Sequence, residues 1–270
     1  MLATRAAGTE GQKPLDGRHA VVTGGGRGIG AAVAAALAAQ GAAVTVMGRN
    51  RDNLQSHAAG LEAEHGRPSA FEVVDLADPA QIEHAFASAT ARLGPPTVLV
   101  NNAGIALPAP FHRTDLHLWN KVFAVDATAP FLCTRQVLKG MIGAGFGRIV
   151  TISSTAGLTG YPYVAAYCAA KHATIGMTRA LAREVAKTGV TVNCVCPGYT
   201  DTDIVTNALD NITAKTGMPR EQALAEIVSH NPQGRLIEPR EVADAVAWLC
   251  RPGSGSVTGQ SILVAGGELM

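Results

Sequence analysis

A glycine-rich segment at residues 23–30 constrains the fold of this chain more than any other feature. The segment reads Thr-Gly-Gly-Gly-Arg-Gly-Ile-Gly, follows the apolar run 19–22 and precedes an alanine-rich stretch from Ala31 to Ala39. This order predicts a strand, a tight turn and a helix. Glycines let the backbone turn sharply and approach a pyrophosphate, which then lies over the N-terminal amides of the helix. The segment therefore predicts a dinucleotide-binding turn, with a plain strand-to-helix turn as the alternative.

Apolar, β-branched runs alternate with helical patterns along the rest of the chain. The strand-like runs lie near residues 19–23, 43–47, 70–74, 97–101, 148–152, 190–195 and 261–264. The helical patterns lie near residues 28–41, 50–65, 79–93, 115–142, 164–187 and 239–250. This alternation indicates βαβ units and a parallel sheet that is covered on both faces. We predict an α/β, Rossmann-type, doubly wound sheet of seven parallel strands, in the order 3-2-1-4-5-6 extended by a seventh strand.

The chain is expected to form one domain, because α/β folds often reach 270 residues undivided. Residues 1–14 are mixed polar and show no periodicity, which predicts a disordered leader. Residues 15–270 are predicted to form a single nucleotide-binding domain. Within it, residues 199–232 interrupt the alternation of strands and helices, and a long insertion of this kind predicts a lid over an active site.

Composition excludes several classes of protein. Apolar residues make up 47% of the chain, enough for a large core, and the formal net charge is +1 without a basic cluster. This balance argues against a nucleic-acid or membrane-surface partner. No apolar stretch reaches transmembrane length and the start lacks a signal-peptide core, so we predict a soluble, cytoplasmic protein.

The cysteines do not suggest a disulfide framework or a metal centre. The chain has five, scattered as Cys133, Cys168, Cys194, Cys196 and Cys250. Two of them lie two apart in a β-branched run and would face the same way on a strand. No nearby cluster of His or Cys completes a metal site, so we predict buried thiols and no metal.

Tyr167 and Lys171 are the first candidates for catalysis. They lie four residues apart in a helical pattern, so they share one face with about 5–6 Å between Cβ atoms. An ammonium this close favours the phenolate, so we expect it to lower the pKa of the tyrosine and suit it to proton transfer. A pair on a helix surface is the alternative interpretation.

A serine at the end of the strand-like run 148–152 is the next candidate. Ser153 and Ser154 both follow that run, on the side of an open α/β sheet where ligands bind. Either hydroxyl could serve a ligand, or either could only cap the next turn.

Together these features resemble the short-chain dehydrogenase/reductase family, from about Leu15 to the C-terminus. The Thr-Gly-x-x-x-Gly-x-Gly, Asn-Asn-Ala-Gly, Tyr-x-x-x-Lys and Pro-Gly motifs of that family occur in order at residues 23–30, 101–104, 167–171 and 197–198. The family's serine precedes the tyrosine by thirteen positions, which selects Ser154. The chain is most similar in character to bacterial 3-oxoacyl thioester reductases and related ketoreductases.

The resemblance implies which residues contact a nicotinamide cofactor and which act on the substrate. Cofactor contacts are expected from Gly24, Arg27, Gly28, Ile29, Gly30, Asp75, Leu76, Asn102, Ala103, Gly104, Tyr167, Lys171, Pro197, Gly198, Thr200 and Thr202. Asp75 and Leu76 match the adenine position, and Thr200 and Thr202 are expected near the carboxamide and the phosphates. Ser154, Tyr167, Lys171 and Asp126 are the implied catalytic residues.

Asp126 departs from the family pattern. The segment reads Val-Asp-Ala at 125–127, where the family usually has a catalytic asparagine whose position holds a water linked to the active-site lysine. The backbone carbonyl serves much of that role and is retained. An ionised carboxylate near Lys171 would weaken its effect on Tyr167 and raise the tyrosine pKa. We expect activity to survive with a shifted pH optimum, and neutral replacement is the alternative.

The end of the second strand indicates the cofactor. Gly48 stands where relatives that prefer NAD carry Asp, Arg49 follows directly, and Arg27 lies in the glycine segment. A guanidinium suits a phosphate in charge and in forked geometry. We therefore predict NADP(H) rather than NAD(H); in the alternative, Arg49 only faces solvent.

The predicted reaction is hydride transfer between a nicotinamide and a ketone or secondary alcohol. Candidate pocket residues, besides the lid, are Ile105, Leu107, Phe111, Tyr161, Tyr163 and Tyr199. A 3-oxoacyl thioester is the first expectation for the substrate, and an aromatic or alicyclic ketone or alcohol is the second. A non-catalytic dinucleotide-binding sensor or scaffold is the alternative of another class, and a sugar-nucleotide epimerase fits less well.

The resemblance also implies an oligomer. Members of the family often form homotetramers through the two long helices, here near 115–142 and 164–187, and the final strand; a homodimer is the alternative. The tail that follows the final strand is expected near a subunit interface.

Overall fold

The computed structural model describes residues 13–269 and contains one seven-stranded parallel sheet. The strands are β1 His19–Thr23, β2 Ala43–Gly48, β3 Ser69–Val73, β4 Val98–Asn101, β5 Gly147–Ile152, β6 Val190–Pro197 and β7 Ser261–Val264. They pair in the order β3-β2-β1-β4-β5-β6-β7, and every pairing is parallel. The predicted fold class and strand order are confirmed.

Nine α-helices connect the strands within residues 13–269. They are α1 Gly28–Ala39, α2 Arg51–His65, α3 Pro79–Leu93, α4 Leu116–Phe123, α5 Ala129–Gly143, α6 Ala165–Glu184, α7 Asp203–Thr216, α8 Arg220–Ser229 and α9 Pro239–Cys250. The segment predicted as a lid, 199–232, is therefore mostly helical. Helices α7 and α8 pack on each other through a small core of their own, which includes Val205, Leu209 and Ile227.

The helix predicted near 115–142 is present, since the chain is helical without a gap from 116 to 143, but the helix is not uniform. A wider π-helical turn, Ala124–Thr128, separates α4 from α5 and contains Asp126. Pro130 gives a physical reason, because it has no amide hydrogen and cannot make the usual bond to the carbonyl four residues earlier, which is that of Asp126. Such turns are frequent at functional sites, since they re-aim a side chain within a helix.

The sheet is buried on both faces. All five residues of β1 and all eight of β6 are buried, as expected of strands that are covered by helices on each side. One face packs on α1, α2 and α9 through residues such as Leu37, Leu54 and Leu249. The other packs on α3, α5 and α6 through residues such as Phe86 and Met141.

The carboxyl ends of the central strands meet at one edge of the sheet, where ligands bind in folds of this kind. Thr23, at the end of β1, fastens this edge to the end of β4. Its Oγ1 accepts hydrogen bonds from the backbone amides of Asn102, at 3.0 Å, and Ala103, at 3.2 Å. The turn after β1 and the loop after β4 are thereby held side by side.

Three further predictions concern features outside this edge. Of the predicted leader, residues 1–12 lie outside the described residues. All five cysteines are buried and unpaired, which confirms the prediction of buried thiols. No helix within residues 13–269 is long and apolar enough to cross a membrane, and this part of the chain holds no cluster of three metal-ligating side chains.

Candidate active site

Tyr167 and Lys171 lie on one face of α6, turned toward the end of β5. The Lys171 Nζ is 5.4 Å from the centre of the Tyr167 ring. The lysine is buried, and its ammonium donates a hydrogen bond of 3.0 Å to the backbone carbonyl of Ile152, the last residue of β5. The strand therefore fixes the ammonium beside the phenol, and the surface-pair alternative does not hold for Lys171.

The two serines that follow β5 point in different directions. Ser153 is bound to α6, because its hydroxyl donates to the Lys171 carbonyl at 3.1 Å and accepts from the Thr174 hydroxyl at 3.3 Å. Ser154 begins the short turn after the strand, and its Oγ accepts from the Ala156 amide at 3.1 Å. A hydrogen bond from the Ser154 hydroxyl acts on Tyr167 and opposes the raised pKa of the phenol, whereas the Ser153 hydroxyl is committed to the fold.

Asp126 lies behind this group and is completely buried. One carboxylate oxygen, Oδ1, accepts a hydrogen bond of 2.8 Å from the Ile105 amide. The other, Oδ2, is 3.6 Å from the Lys171 Nζ and has no hydrogen-bond partner. Gly104 covers the pair closely, since a Cβ there would lie 3.3 Å from both Oδ2 and Nζ. The turn between α4 and α5 thus places a carboxylate directly against the buried ammonium.

The charges in this group determine its proton affinities. Burial raises the pKa of Tyr167 above its ordinary value; Lys171 opposes that shift, and Asp126 adds to it. Lys171 and Asp126 therefore act on the tyrosine pKa in the predicted directions, but burial is the larger effect and the pKa is raised rather than lowered. Burial lowers the pKa of Lys171, but the negative charges on Asp126 and Tyr167 more than offset it and leave the pKa raised. Burial also raises the pKa of Asp126, with Lys171 acting against it.

The glycine segment forms a turn that excludes side chains. Gly24 has φ +64° and Gly28 has φ +52°, the left-handed region that glycine adopts without strain. At Gly30, a Cβ would lie 2.2 Å from the Gly24 carbonyl oxygen. The Asn102 side chain donates to the carbonyls of Thr23 and Gly24, at 2.9 and 3.2 Å. The backbone of this turn and of the first residues of α1, including Ile29, is therefore held in place, which fits a pyrophosphate approaching its amides.

Two exposed arginines flank this turn. Arg49 lies just beyond β2, and within residues 13–269 it makes no ion pair. Arg27 forms an ion pair with Asp203, the first residue of α7. Gly48 carries no acidic group at the end of β2, so a phosphate next to Arg49 would meet no repulsion from that position.

The remaining candidate cofactor contacts lie around the same edge. Asp75 is exposed and its Oδ1 accepts from the Ala77 amide at 3.0 Å, while Leu76 is buried. Pro197 ends β6, and the loop that follows it is tied down at Gly198, whose amide donates to the Val264 carbonyl at 3.1 Å.

The loop after β6 then reaches the glycine turn. Thr200 is buried, and the Thr202 hydroxyl donates to its carbonyl at 3.2 Å. A Cβ at Gly28 would lie 3.2 Å from the Thr202 methyl group, so the two loops face each other across a narrow gap.

The six predicted pocket residues divide into three pairs. Ile105 and Leu107 pack against the same small buried cluster as Tyr167, formed by Val122, Ala166 and Ala170. Phe111 and Tyr163 are 78% and 67% exposed, so the structure places them at the surface rather than inside a pocket.

The other two predicted pocket residues meet beside Ser154. Tyr161 and Tyr199 are arranged edge to face, with ring centres 6.2 Å apart. The Tyr161 hydroxyl lies 2.9 Å from Thr155 Oγ1 and donates to the carboxylate of Glu268 near the C-terminus. Sequence reasoning did not single out Glu268.

Comparison with known proteins agrees with this geometry. The family model for short chain dehydrogenases matches residues 18–213. The chain belongs to the short chain dehydrogenase family. It is 39% identical to an acetoacetyl-CoA reductase of Rhizobium meliloti, over 93% of this chain and 98% of the relative. It is 38% identical to a 3-oxoacyl-(acyl-carrier-protein) reductase of Vibrio cholerae, over 95% of this chain and 99% of the relative.

A solved structure resembles the whole fold. A crystal structure of a point variant of the actinorhodin polyketide ketoreductase with NADPH superposes with a TM-score of 0.89 at 38% identity, covering 93% of this chain and 97% of that one. The predicted family is thereby confirmed. So is the predicted enzyme class, an oxidoreductase that uses a nicotinamide cofactor and acts on a hydroxyl or ketone group.

Two contacts in this short chain dehydrogenase could not be predicted from patterns in its sequence. Asp203 pairs with Arg27 across 176 residues of chain, and Glu268 meets Tyr161 across 107. Neither acidic residue belongs to a recognisable motif. The only signal was positional, because Asp203 follows the Pro-Gly segment and Glu268 follows the last strand.

Proposed function

We propose that this protein is an NADP(H)-dependent ketoreductase that interconverts a ketone and a secondary alcohol, with 3-oxoacyl thioesters as its substrate class. The observation that carries the proposal is the Tyr167 phenol, held beside the buried Lys171 ammonium and within reach of the Ser154 hydroxyl. The acetoacetyl-CoA and 3-oxoacyl reductase relatives support the substrate class.

The residues around the glycine turn fit a dinucleotide phosphate. A Cβ at Gly30 would collide with the turn itself, so the cradle is built from backbone and leaves room for a pyrophosphate. Arg27 and Arg49 place two exposed guanidinium groups at its side, and Gly48 adds no negative charge. Relatives that prefer NAD are expected to carry an acidic residue at this position. These features support NADP(H), as does the NADPH-bound structural relative.

When bound, reduced nicotinamide supplies the hydride for the ketone carbon. The side chains of this chain manage the oxygen that becomes an alkoxide. Tyr167 gives that oxygen its phenolic proton, and Ser154 donates a hydrogen bond that stabilises the developing negative charge. Lys171 stabilises the phenolate that remains on Tyr167. In the reverse direction, the phenolate takes the proton from a secondary alcohol.

Turnover of matched substrates tests the proposal. Purified protein is assayed with NADPH and with NADH against 3-oxoacyl thioesters and against aromatic and alicyclic ketones. The proposal predicts the highest kcat/KM for a thioester with NADPH. A higher kcat/KM for a cyclic or aromatic ketone would favour the second substrate class. Turnover with NADH alone would contradict the proposal that Arg49 binds the additional phosphate of NADPH.

The variant Tyr167→Phe separates chemistry from cofactor binding. Loss of the phenolic proton is expected to abolish turnover while NADPH binding, followed by fluorescence titration, is retained. Activity in this variant would refute the mechanism. Cofactor binding by the unaltered protein without turnover of any ketone would instead support the sensor or scaffold alternative.

Assembly and location complete the proposal. Exposed apolar side chains on α5 and β7, Phe131 and Leu263, support a homotetramer or homodimer through these elements. Sedimentation equilibrium distinguishes these from a monomer. A cytoplasmic location stays a prediction of the sequence.

A further inference from the structure

The tail after β7 carries a carboxylate back to the substrate end of the site. The Glu268 amide donates to the Ala265 carbonyl at 3.1 Å, which closes a turn. Gly266 has φ +61°, and a Cβ there would lie 2.0 Å from Asn231 Oδ1, so only glycine permits this path. The geometry of the tail therefore fixes where the Glu268 side chain lies, rather than leaving it free in solvent.

The two oxygens of this carboxylate have different surroundings. Oε1 accepts a hydrogen bond from the Tyr161 hydroxyl, which lies 2.9 Å from the Oγ1 of Thr155, the residue after Ser154. Oε2 is buried and has no hydrogen-bond partner. It faces Gly198, where a Cβ would lie 2.7 Å away. A buried acceptor without a donor leaves the negative charge of this oxygen uncompensated by the protein.

Tyr199 connects this carboxylate to the catalytic tyrosine. Its ring packs edge to face on Tyr161. Burial raises the pKa of Tyr199, and negative charge on Glu268 and on Tyr167 raises it further. No cation within residues 13–269 forms an ion pair with Glu268. The charge of the carboxylate therefore acts on whatever occupies the space next to Ser154 and Tyr167.

We propose that Glu268 selects substrates by charge: the site accepts neutral ketones and excludes keto acids whose own carboxylate would lie against Glu268. This inference rests on the proposed ketoreductase function and narrows its substrate class to esters, thioesters and other uncharged ketones. Two like charges in one partly buried pocket repel strongly, and a built-in repulsion of this kind is an effective source of specificity.

Two substrates that differ only in charge test the inference. Acetoacetate and methyl acetoacetate share the same reacting carbonyl, and kcat/KM is measured for both with NADPH. The unaltered protein is expected to favour the ester. Glu268→Gln keeps the shape of the side chain and removes its charge. In this variant the ratio of kcat/KM for methyl acetoacetate to kcat/KM for acetoacetate, the ester-to-acid ratio, should fall by on the order of tenfold or more, mainly through a lower KM for acetoacetate.

A matched variant controls for net charge. Glu64 lies on α2 with a side chain that is 75% exposed, and Glu64→Gln removes the same charge from the opposite part of the chain. It should leave the ester-to-acid ratio unchanged. An unchanged ratio in Glu268→Gln, with the ester still reduced, would overturn the inference and leave the proposed function standing. No turnover of any neutral ketone by the unaltered protein would overturn both.

Discussion

Replacing Asp126 by asparagine tests the electrostatics of the site most directly. The substitution keeps the shape of the side chain and an oxygen for the Ile105 amide, but it removes the negative charge that lies 3.6 Å from the Lys171 Nζ. Asp126 raises the pKa of Tyr167, so removing its charge favours the phenolate. We expect Asp126→Asn to remain active and to have a lower pKa at Tyr167.

The size of the effect follows from the distances. The separations from Asp126 Oδ2 to Lys171 Nζ and from Nζ to the Tyr167 ring centre, 3.6 and 5.4 Å, place the carboxylate within about 9 Å of the ring. At an effective dielectric constant of about 20, two unit charges about 9 Å apart interact by about 2 kcal/mol. That energy corresponds to a displacement of the pH profile by about one pH unit.

The assay is kcat/KM against pH in both directions. Reduction needs the protonated phenol, so its rate falls as pH rises through the Tyr167 pKa. Oxidation needs the phenolate, so its rate rises over the same range. Lowering the pKa should therefore move both limbs to lower pH by about one pH unit. Asp244→Asn, at an exposed position of α9, is the control and should move neither limb.

An unchanged profile in Asp126→Asn would refute this reasoning, since it would mean that the carboxyl carries no charge beside Lys171. Movement of both limbs to higher pH would refute it as well. A thermal melt checks that the variant is folded. The substitution leaves the Lys171 ammonium its hydrogen bond to the Ile152 carbonyl.

Three further substitutions test other parts of the structure. Gly30→Ala places a Cβ 2.2 Å from the Gly24 carbonyl oxygen. It should lower the free energy of unfolding, measured with denaturant, by about 1–3 kcal/mol and abolish NADPH binding. Unaltered NADPH binding would contradict the proposed turn. Ser154→Ala should lower kcat/KM on the order of 10²-fold, whereas Ser153→Ala should mainly lower stability, by about 1 kcal/mol; the reverse pattern would exchange their roles. Arg49→Ala should raise KM for NADPH about tenfold and leave KM for NADH unchanged, and equal changes would count against a phosphate contact.

The sheet could be predicted from the sequence because its signals are local. Each strand is a short apolar run, and each alternates with a helical pattern. The spacing of apolar residues therefore indicates directly which segments form the sheet and which form the helices that cover it. The glycine turn was equally accessible, because Gly24 and Gly30 are needed for contacts within the turn itself. The pairing of Tyr167 with Lys171 follows from helical spacing alone.

The interruption between α4 and α5 was harder to see. Pro130 lacks the amide hydrogen that a regular helix needs at this position, but helical spacing alone does not show whether the helix ends there or widens into a π-helical turn. The π-helical turn matters for the chemistry of the site, because it directs the Asp126 carboxylate at the Lys171 ammonium.

Contacts between distant parts of the chain were not predictable from patterns. The Arg27–Asp203 pair and the Tyr161–Glu268 pair each join segments that only the completed sheet brings together. The pKa of Tyr167 was mispredicted for a related reason. Helical spacing reveals the nearby ammonium, but burial depends on every element packed around the phenol, and burial is the larger effect.

The departure at Asp126 and the raised pKa of Tyr167 have one common consequence for the direction of catalysis. A phenol that keeps its proton at neutral pH is ready to protonate an alkoxide, which is the step that reduction requires. The oxidation of an alcohol requires the phenolate, which the same carboxylate disfavours by opposing Lys171. At neutral pH the phenol is therefore protonated, which is the form that reduces ketones, and Asp126 acts in the direction that keeps it so. The residue that departs from the family pattern thus supports the proposed reductase activity rather than a loss of activity.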